Sequence, residues 1–391
     1  MSSPESWAYL SRVIEGPSRH LQALLAAGRD ADEVAAGVRA RASWLGGLAR
    51  ETESRHTWDQ PQRDLEAAHV AGFSLVTPDT EGWPGEVITE AFVTGVAISQ
   101  ANLAEAKPDG VAPHALWVKG ETNLDQLFAR SVAIVGTRAS TAYGHHATAD
   151  LVTGLAGFGY TVVSGGALGI DTVAHESALS AGAPTVVVAA CGPGVTYPRR
   201  NTELFDRVTS VITEYPPAVT PDRHRFLTRN RLVAGLSQGS VIVEAAFRSG
   251  ALNTLTWAHY FNRRVMAVPG PILGPGSLGT NLAIQEGRAD MVLSAEQIHA
   301  LFSSIGEIDP DAQLELAFAA DDVQRLSRNE LRIYDAVPLT SRGAAAEDIA
   351  SRAGLTVALS VHILVELEAR GLVVRAGRHW RRGDAPPAPQ E

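Results

Sequence analysis

A single cysteine, Cys191, in a chain of 391 residues excludes an internal disulfide framework and any zinc site built from cysteines. Lysine is almost as scarce. Only Lys107 and Lys119 occur, and neither lies in the central segment. A Walker A lysine, a Schiff-base lysine and a lysine-clamped phosphate are therefore excluded there. No apolar run reaches the roughly 20 residues that span a bilayer. The opening MSSPESWAYLSRVIEG lacks the basic-then-apolar layout of a signal peptide. The expectation is a soluble, cytoplasmic protein that makes no membrane contact. Hydrophobic content of 45% with 19% charged suits sizeable cores, and the length suits two or three domains.

Positive charge is also in deficit, with a formal net charge of -10. The deficit is uneven. Residues 1–130 carry 11 Lys+Arg against 18 Asp+Glu, whereas residues 131–300 carry 12 against 11. In the balanced middle, RHRFLTRNR (Arg223 to Arg231) holds four arginines, one phenylalanine and no acid. A low overall pI does not exclude a polyanion when cations cluster in this way. Arginine in place of lysine is what a GC-rich genome also produces, but codon usage does not produce clusters.

Residues 1–65 show helical spacing broken by glycine and proline, as in LQALLAAG and ADEVAAGVRARASWL. A helix at DLEAAHVAG, strands at FSLVTP and ALWVKG, and loops at GWPGEV and AKPDGVAP follow. From Ser131 strands and helices alternate strictly: SVAIVG, TVVSGG, PTVVVAACG, SVITEYP, SVIVEAA and RRVMAVPG read as strands with helices between. Apolar strands alternating with amphipathic helices predict an α/β fold, a doubly wound, mainly parallel Rossmann-like sheet over 66–300 with its core at 115–300. Residues 301–321 read as an acidic linker. Residues 322–384 read as helix, helix, longer helix and two-strand ribbon, a winged helix, and DAPPAPQE as a disordered tail.

Ligands of such a sheet sit off the carboxyl ends of its strands. Those ends here are Gly136-Thr137-Arg138, Ser164-Gly165-Gly166 with Gly169, Cys191-Gly192-Pro193-Gly194, Glu244 with Ser249-Gly250 and Thr254, and Pro269-Gly270 with Asn281 downstream. Glycines before helix N-termini let backbone N–H groups face an anion, which predicts a phosphate cradle with Arg138 at its rim. Any one of these loops alone reads first as a tight strand–helix turn; five on one edge together with a guanidinium reverse that preference. No G-x-G-x-x-G fingerprint and no ribose-binding acid appear, so a nicotinamide enzyme is not expected. Asp171 and His175 lie one helical turn apart and either pair or hold the turn. Cys191 fits a small buried residue. His145 and His146 lack partners at metal spacing, so no metal and no cofactor is expected.

Were RNRLVAGLS a helix, Arg229 and Arg231 would lie near its first turn, with Arg223, Arg225 and Phe226 in the loop before it. Arginines along a loop can track a charged backbone, and an exposed ring between them offers a stacking face for an unpaired base. Arg199 and Arg200 in YPRRN extend the track. The alternative is a core phenylalanine flanked by solvated arginines.

SVAIVGTR, SGGALGIDTVAH, YPRRN, TEYPP, FLTRNRLVAGLS, VIVEA, SGALNT and AVPG, in that order, resemble the DNA-processing protein A (DprA/Smf) family from about Ala115 to Leu301. The resemblance implies a SAM-like N-terminal module and a C-terminal winged helix. It also implies a non-enzymatic protein that binds single-stranded DNA, forms a homodimer through the Rossmann-like domain and loads RecA recombinase during natural transformation. Carried over by motif, the single-strand contacts are Arg138, Arg199, Arg223, Phe226, Arg229, Asn230 and Arg231. The sequence departs from the family pattern at Leu168 and Leu278, where arginine is usual, and at Ala251 and Asn253. An enzyme of the same superfamily, a phosphoribohydrolase, would be expected to show PGGxGT, where this chain has Pro269-Gly270-Pro271. A sequence-specific regulator would need base-reading side chains on the winged helix, where RHWRRG is basic but few others suit base edges.

Overall fold

In the central sheet the apolar strands recur along the chain as β1 (Phe73–Val76), β2 (Leu116–Gly120), β3 (Ser131–Val135), β4 (Thr161–Ser164), β5 (Thr185–Val188), β6 (Ser210–Thr213), β7 (Gly239–Ile242), β8 (Arg264–Ala267) and β9 (Asp290–Met291). They form one sheet in the order β1-β2-β6-β5-β4-β3-β7-β8-β9. From β6 to β9 every neighbouring pair is parallel, while β1 and β2 extend the edge antiparallel. The doubly wound, Rossmann-like expectation holds. This computed structural model describes residues 1–101, 106–303, 322–340 and 342–383. Residues 304–321 of the expected linker and the tail at 384–391 lie outside them.

The reason the central strands carry apolar residues facing both ways is visible in β3, all five residues of which are buried. Ala133 and Val135 join Val163, Val186 and Ile242 on one face. Val132 and Ile134 join Val162, Val241 and Met266 on the other. Helices cover both faces, so neither side of the strand meets water. The chain winds from β3 through β4, β5 and β6 in one direction, then returns to place β7 on the far side of β3. This reversal opens a crevice at the carboxyl ends of β3 and β7.

Residues Met1–Pro310 form one compact unit, which includes the N-terminal helices. Pro4–Ile14, Arg19–Ala26 and Ala31–Ala40 are capped by Ser3, Ser18 and Asp30 and bury Trp7, Leu10, Leu21, Val34 and Val38 together. Arg12 binds the carboxylate of Asp64 at 2.6 Å and the carbonyl of Pro217 at 2.7 Å, and Trp117 Nε1 donates to Ser11 Oγ at 3.1 Å.

Two local expectations are corrected. GWPGEV is a loop only at its start: helix begins at Gly85 and runs on as a π-helical turn, Thr89–Gly95, and helix Val96–Ala101. Phe92 on that stretch packs on Phe261 with centroids 4.4 Å apart, a long-range contact that local pattern does not show. The helix expected from Arg229 begins instead at Arg223 and ends at Gly235, because Asp222 caps it by accepting from Arg225 N at 2.8 Å.

Residues Asp311–Glu391 form a second unit. Helices Arg328–Ala336, Ala346–Ala353 and Val357–Ala369 bury Ile333, Ile349, Ile363, Leu364 and Leu367 against Trp380. A three-stranded sheet accompanies them, β10 (Ala344–Ala345), β12 (His379–Arg382) and β11 (Val373–Ala376), in that order. Among the described residues no single helix is long and apolar enough to cross a membrane.

Candidate nucleic-acid interface

The crevice where the strand order reverses contains a cavity of about 370 Å³. The β3 end contributes Gly136, Thr137 and Arg138, the β4 end Gly165 and Ala167, and the turn after β7 with the helix it opens (Ala251–Tyr260) contributes Ser249, Gly250 and Thr254. Helix Arg223–Gly235 closes it with Phe226, Leu227, Arg229 and Asn230. Of the residues expected to cradle a phosphate, Gly136, Thr137, Gly165, Ser249, Gly250 and Thr254 thus line one cavity.

Ser164, Gly166, Gly169 and Asn281 do not. Ser164 is buried with its hydroxyl donating to Ile134 O at 2.6 Å. Gly166 packs against Phe205, and a Cβ there would come within 2.6 Å of that ring. Gly169 has φ +85° and lies so close to Thr137 O that a Cβ would approach it at 2.3 Å. Asn281 spends its amide on Gly270, donating to the carbonyl and accepting from the N–H, each at 3.0 Å. These four shape the loops rather than line the cavity.

The strand-end amides already hold an anion, and it belongs to the protein. Asp171 Oδ2 accepts from Gly165 N at 3.2 Å and Ala167 N at 3.3 Å, and Gly136 N–H also bonds its carboxylate. Asp171 sits in the first turn of helix Ile170–Ser180, where the helix dipole favours a negative group. Burial pushes its carboxyl above the ordinary value, while the Arg229 guanidinium and these N–H groups pull it back. His175 is not its partner, because His175 Nδ1 meets Thr185 Oγ1 at 2.7 Å. Glu244, the acid at the end of β7, is buried and bound by Thr141 through N at 2.9 Å and Oγ1 at 2.7 Å, beneath the N-terminus of helix Ala142–Gly157. Cys191 is buried, and burial raises its thiol to about 11.

The four arginines of RHRFLTRNR have four different fates. Arg231 is fully buried and paired with the equally buried Glu214, so its expected strand contact is corrected: the guanidinium is not offered to solvent. Arg229 is 4% exposed and donates Nη1 to Val188 O at 2.6 Å, forming the floor of the cavity. Arg225 pairs with Glu15 at 2.7 Å and Asp222 at 2.6 Å. Arg223 alone is exposed without a carboxylate partner among the described residues.

At the rim, the Arg138 guanidinium stands 5.0 Å from the centroid of the half-buried Phe226 ring. On Phe226 also lies the exposed Tyr197, 5.3 Å away between centroids. Arg199 is exposed two residues beyond Tyr197 but lines neither hollow. A second hollow of about 520 Å³ adjoins the first, sharing Arg138, Phe226 and Gly250 and adding Arg223, Arg248 and Asn253. Three guanidinium groups and no acid line it. Sequence reasoning passed over Tyr197, Leu227 and Arg248, although Arg248 directly precedes the Ser249-Gly250 turn and was open to recognition on that ground.

Residues 101–303 match the family described as DNA recombination-mediator protein A. A protein of Mycobacterium tuberculosis named as a DNA processing protein DprA is 42% identical over 381 residues, covering 96% of this chain and 93% of its own. The DNA processing protein DprA of Streptococcus pneumoniae is 41% identical over 194 residues, 49% of this chain and 67% of its own. The X-ray structure of DNA processing protein A from Streptococcus pneumoniae has a TM-score of 0.56 at 29% identity, covering 70% of this chain and 87% of that one. The similarity thus extends over both the sequence and the fold around the crevice. The chain belongs to the DNA recombination-mediator protein A family and has a DNA-processing role in recombination.

Proposed function

We propose that the crevice binds single-stranded DNA without transforming it. The observation that carries this reading is the rim: Phe226 near Arg138 and Tyr197, lining a hollow with Arg223 and Arg248 and with no acid in it. A base unpaired from its strand stacks on such a ring at about 1–3 kcal/mol, while the guanidinium groups meet phosphates. Duplex DNA keeps its bases stacked and cannot use the ring. The strand-contacting set is then Arg138, Arg223, Phe226 and Asn230, with Arg199 and Arg248 extending it and Arg229 acting from below.

A non-enzymatic role is supported by the acids. Asp171 lines the cavity but its carboxylate is taken up by backbone amides, and Glu244 is bound by Thr141. Loading of RecA recombinase and homodimerisation through the sheet domain are proposed from family membership alone. We assign the N-terminal helices to a SAM-like module over 1–65 and residues 322–384 to a winged helix acting in protein docking.

Fluorescence anisotropy of labelled oligonucleotides across a salt series tests the reading. Single strands are expected to bind much more tightly than duplex, with log K falling against log salt by about 0.7 per phosphate contact. Equal affinity for both forms, or no salt dependence, would overturn it.

A further inference from the structure

Between the two hollows lies a pair of amides that the stacking model does not use. Asn230 Nδ2 donates to Gly250 O at 3.4 Å and to Asn253 Oδ1 at 3.2 Å. Both hydrogens of Asn230 are thereby committed, and the contact with Gly250 O fixes which way its amide points. What remains among the described residues is the Asn230 carbonyl as a free acceptor and the Asn253 NH2 as a free donor. Asn230 lines the first hollow and Asn253 the second, and Phe226 lines both. An acceptor and a donor carried by two hydrogen-bonded amides that line the same hollows as a stacking ring suit the edge of a nucleobase, which itself presents both donor and acceptor atoms.

We propose that Asn230 and Asn253 read the edge of the base seated on Phe226, so that this protein ranks single strands by base. The inference rests on the single-strand reading above. Stacking alone is tolerant of sequence because every base has a π face. The amide pair adds discrimination, since a base whose donor–acceptor order is reversed leaves both amides without partners. One good two-point contact of this kind gives at least about a fivefold preference.

The test measures dissociation constants of the full chain for dT, dA and dC oligonucleotides of one length at one salt concentration, for wild type, Asn253→Leu and Phe226→Ala. Wild type is expected to separate its best and worst strand by at least about fivefold, and Asn253→Leu to compress that ratio to about twofold or less with an unchanged salt slope. Because the ratio is compared between proteins, the strands' own stacking cancels. A ratio that survives Asn253→Leu, or a wild type that ranks no base, overturns the proposal while leaving single-strand binding intact. Weakened binding of all strands in equal proportion by Asn253→Leu also overturns it, since that marks a positioning role. If Phe226→Ala leaves every affinity unchanged, the single-strand reading itself fails.

Discussion

Arg225, the residue before the stacking ring, donates through Nη2 to Glu15 at 2.7 Å, and Arg55 binds the same carboxylate. Glu15 terminates the first helix in a left-handed conformation, so the N-terminal module holds the first turn of helix Arg223–Gly235 from outside. That turn carries Arg223 and Phe226. The helical module is therefore coupled to the interface by a side chain rather than by proximity in sequence.

Glu15→Ala is expected to loosen this turn. Hydrogen exchange at the amides of Phe226 and Leu227 should accelerate, and single-strand affinity should fall a few-fold, less than for loss of the ring itself. Unchanged exchange would show that Asp222 capping alone holds the turn.

Phe226→Ala should weaken single-strand binding by about 1–3 kcal/mol with little effect on the salt slope, because stacking involves no counterion. Arg138→Ala should lower the slope by about 0.7 and weaken all strands alike. The two signatures separate stacking from phosphate contact in one titration series.

Arg231 and Glu214 face each other fully buried, with Arg231 Nη1 also donating to Val111 O at 3.0 Å. Arg231→Ala should cost about 3–5 kcal/mol of stability by leaving the carboxylate alone in the core. Arg231→Met with Glu214→Leu should recover much of that loss. Chemical denaturation of the single and double variants checks both, and a near-neutral single variant would contradict the pairing.

A Cβ at Gly165 would stand 2.0 Å from Arg229 Nη1, the atom that donates to Val188 O. Gly165→Ala should therefore displace the cavity floor and destabilise the protein by about 1–3 kcal/mol, seen as a lowered Tm.

His175 and His114 are buried, and burial lowers them to about 3 and about 4. Below the ordinary value of 6.5 the unfolded chain takes up protons that the folded protein refuses. Stability present above that pH is lost as pH falls toward these values, by about 1.4 kcal/mol per pH unit for each histidine. His175→Asn should flatten the slope in urea titrations between pH 6 and about 4; an unchanged slope would mean that His175 gains its proton in the folded state.

Local chemistry and period were enough to read the sheet. An apolar run such as SVAIV has one stable use, a strand covered on both faces, and glycines after most of these runs mark the crevice side. The Arg138–Phe226 pairing was within reach for the same reason, since both lie at ends of elements that point into that crevice. Asp222 before RHR was a legible cap whose signal was missed, and it moves the helix start by six residues. The separate fates of Arg223, Arg225, Arg229 and Arg231 were not legible. On a helix each residue turns about 100° from the last, so which guanidinium meets water depends on how the helix is rolled against β5 and the N-terminal module. Sequence supplied the cations and the ring. Partners far away in the chain, Glu15, Val188 and Glu214, determined which cations stayed free, because a buried charge must be matched by whatever group the fold brings to it.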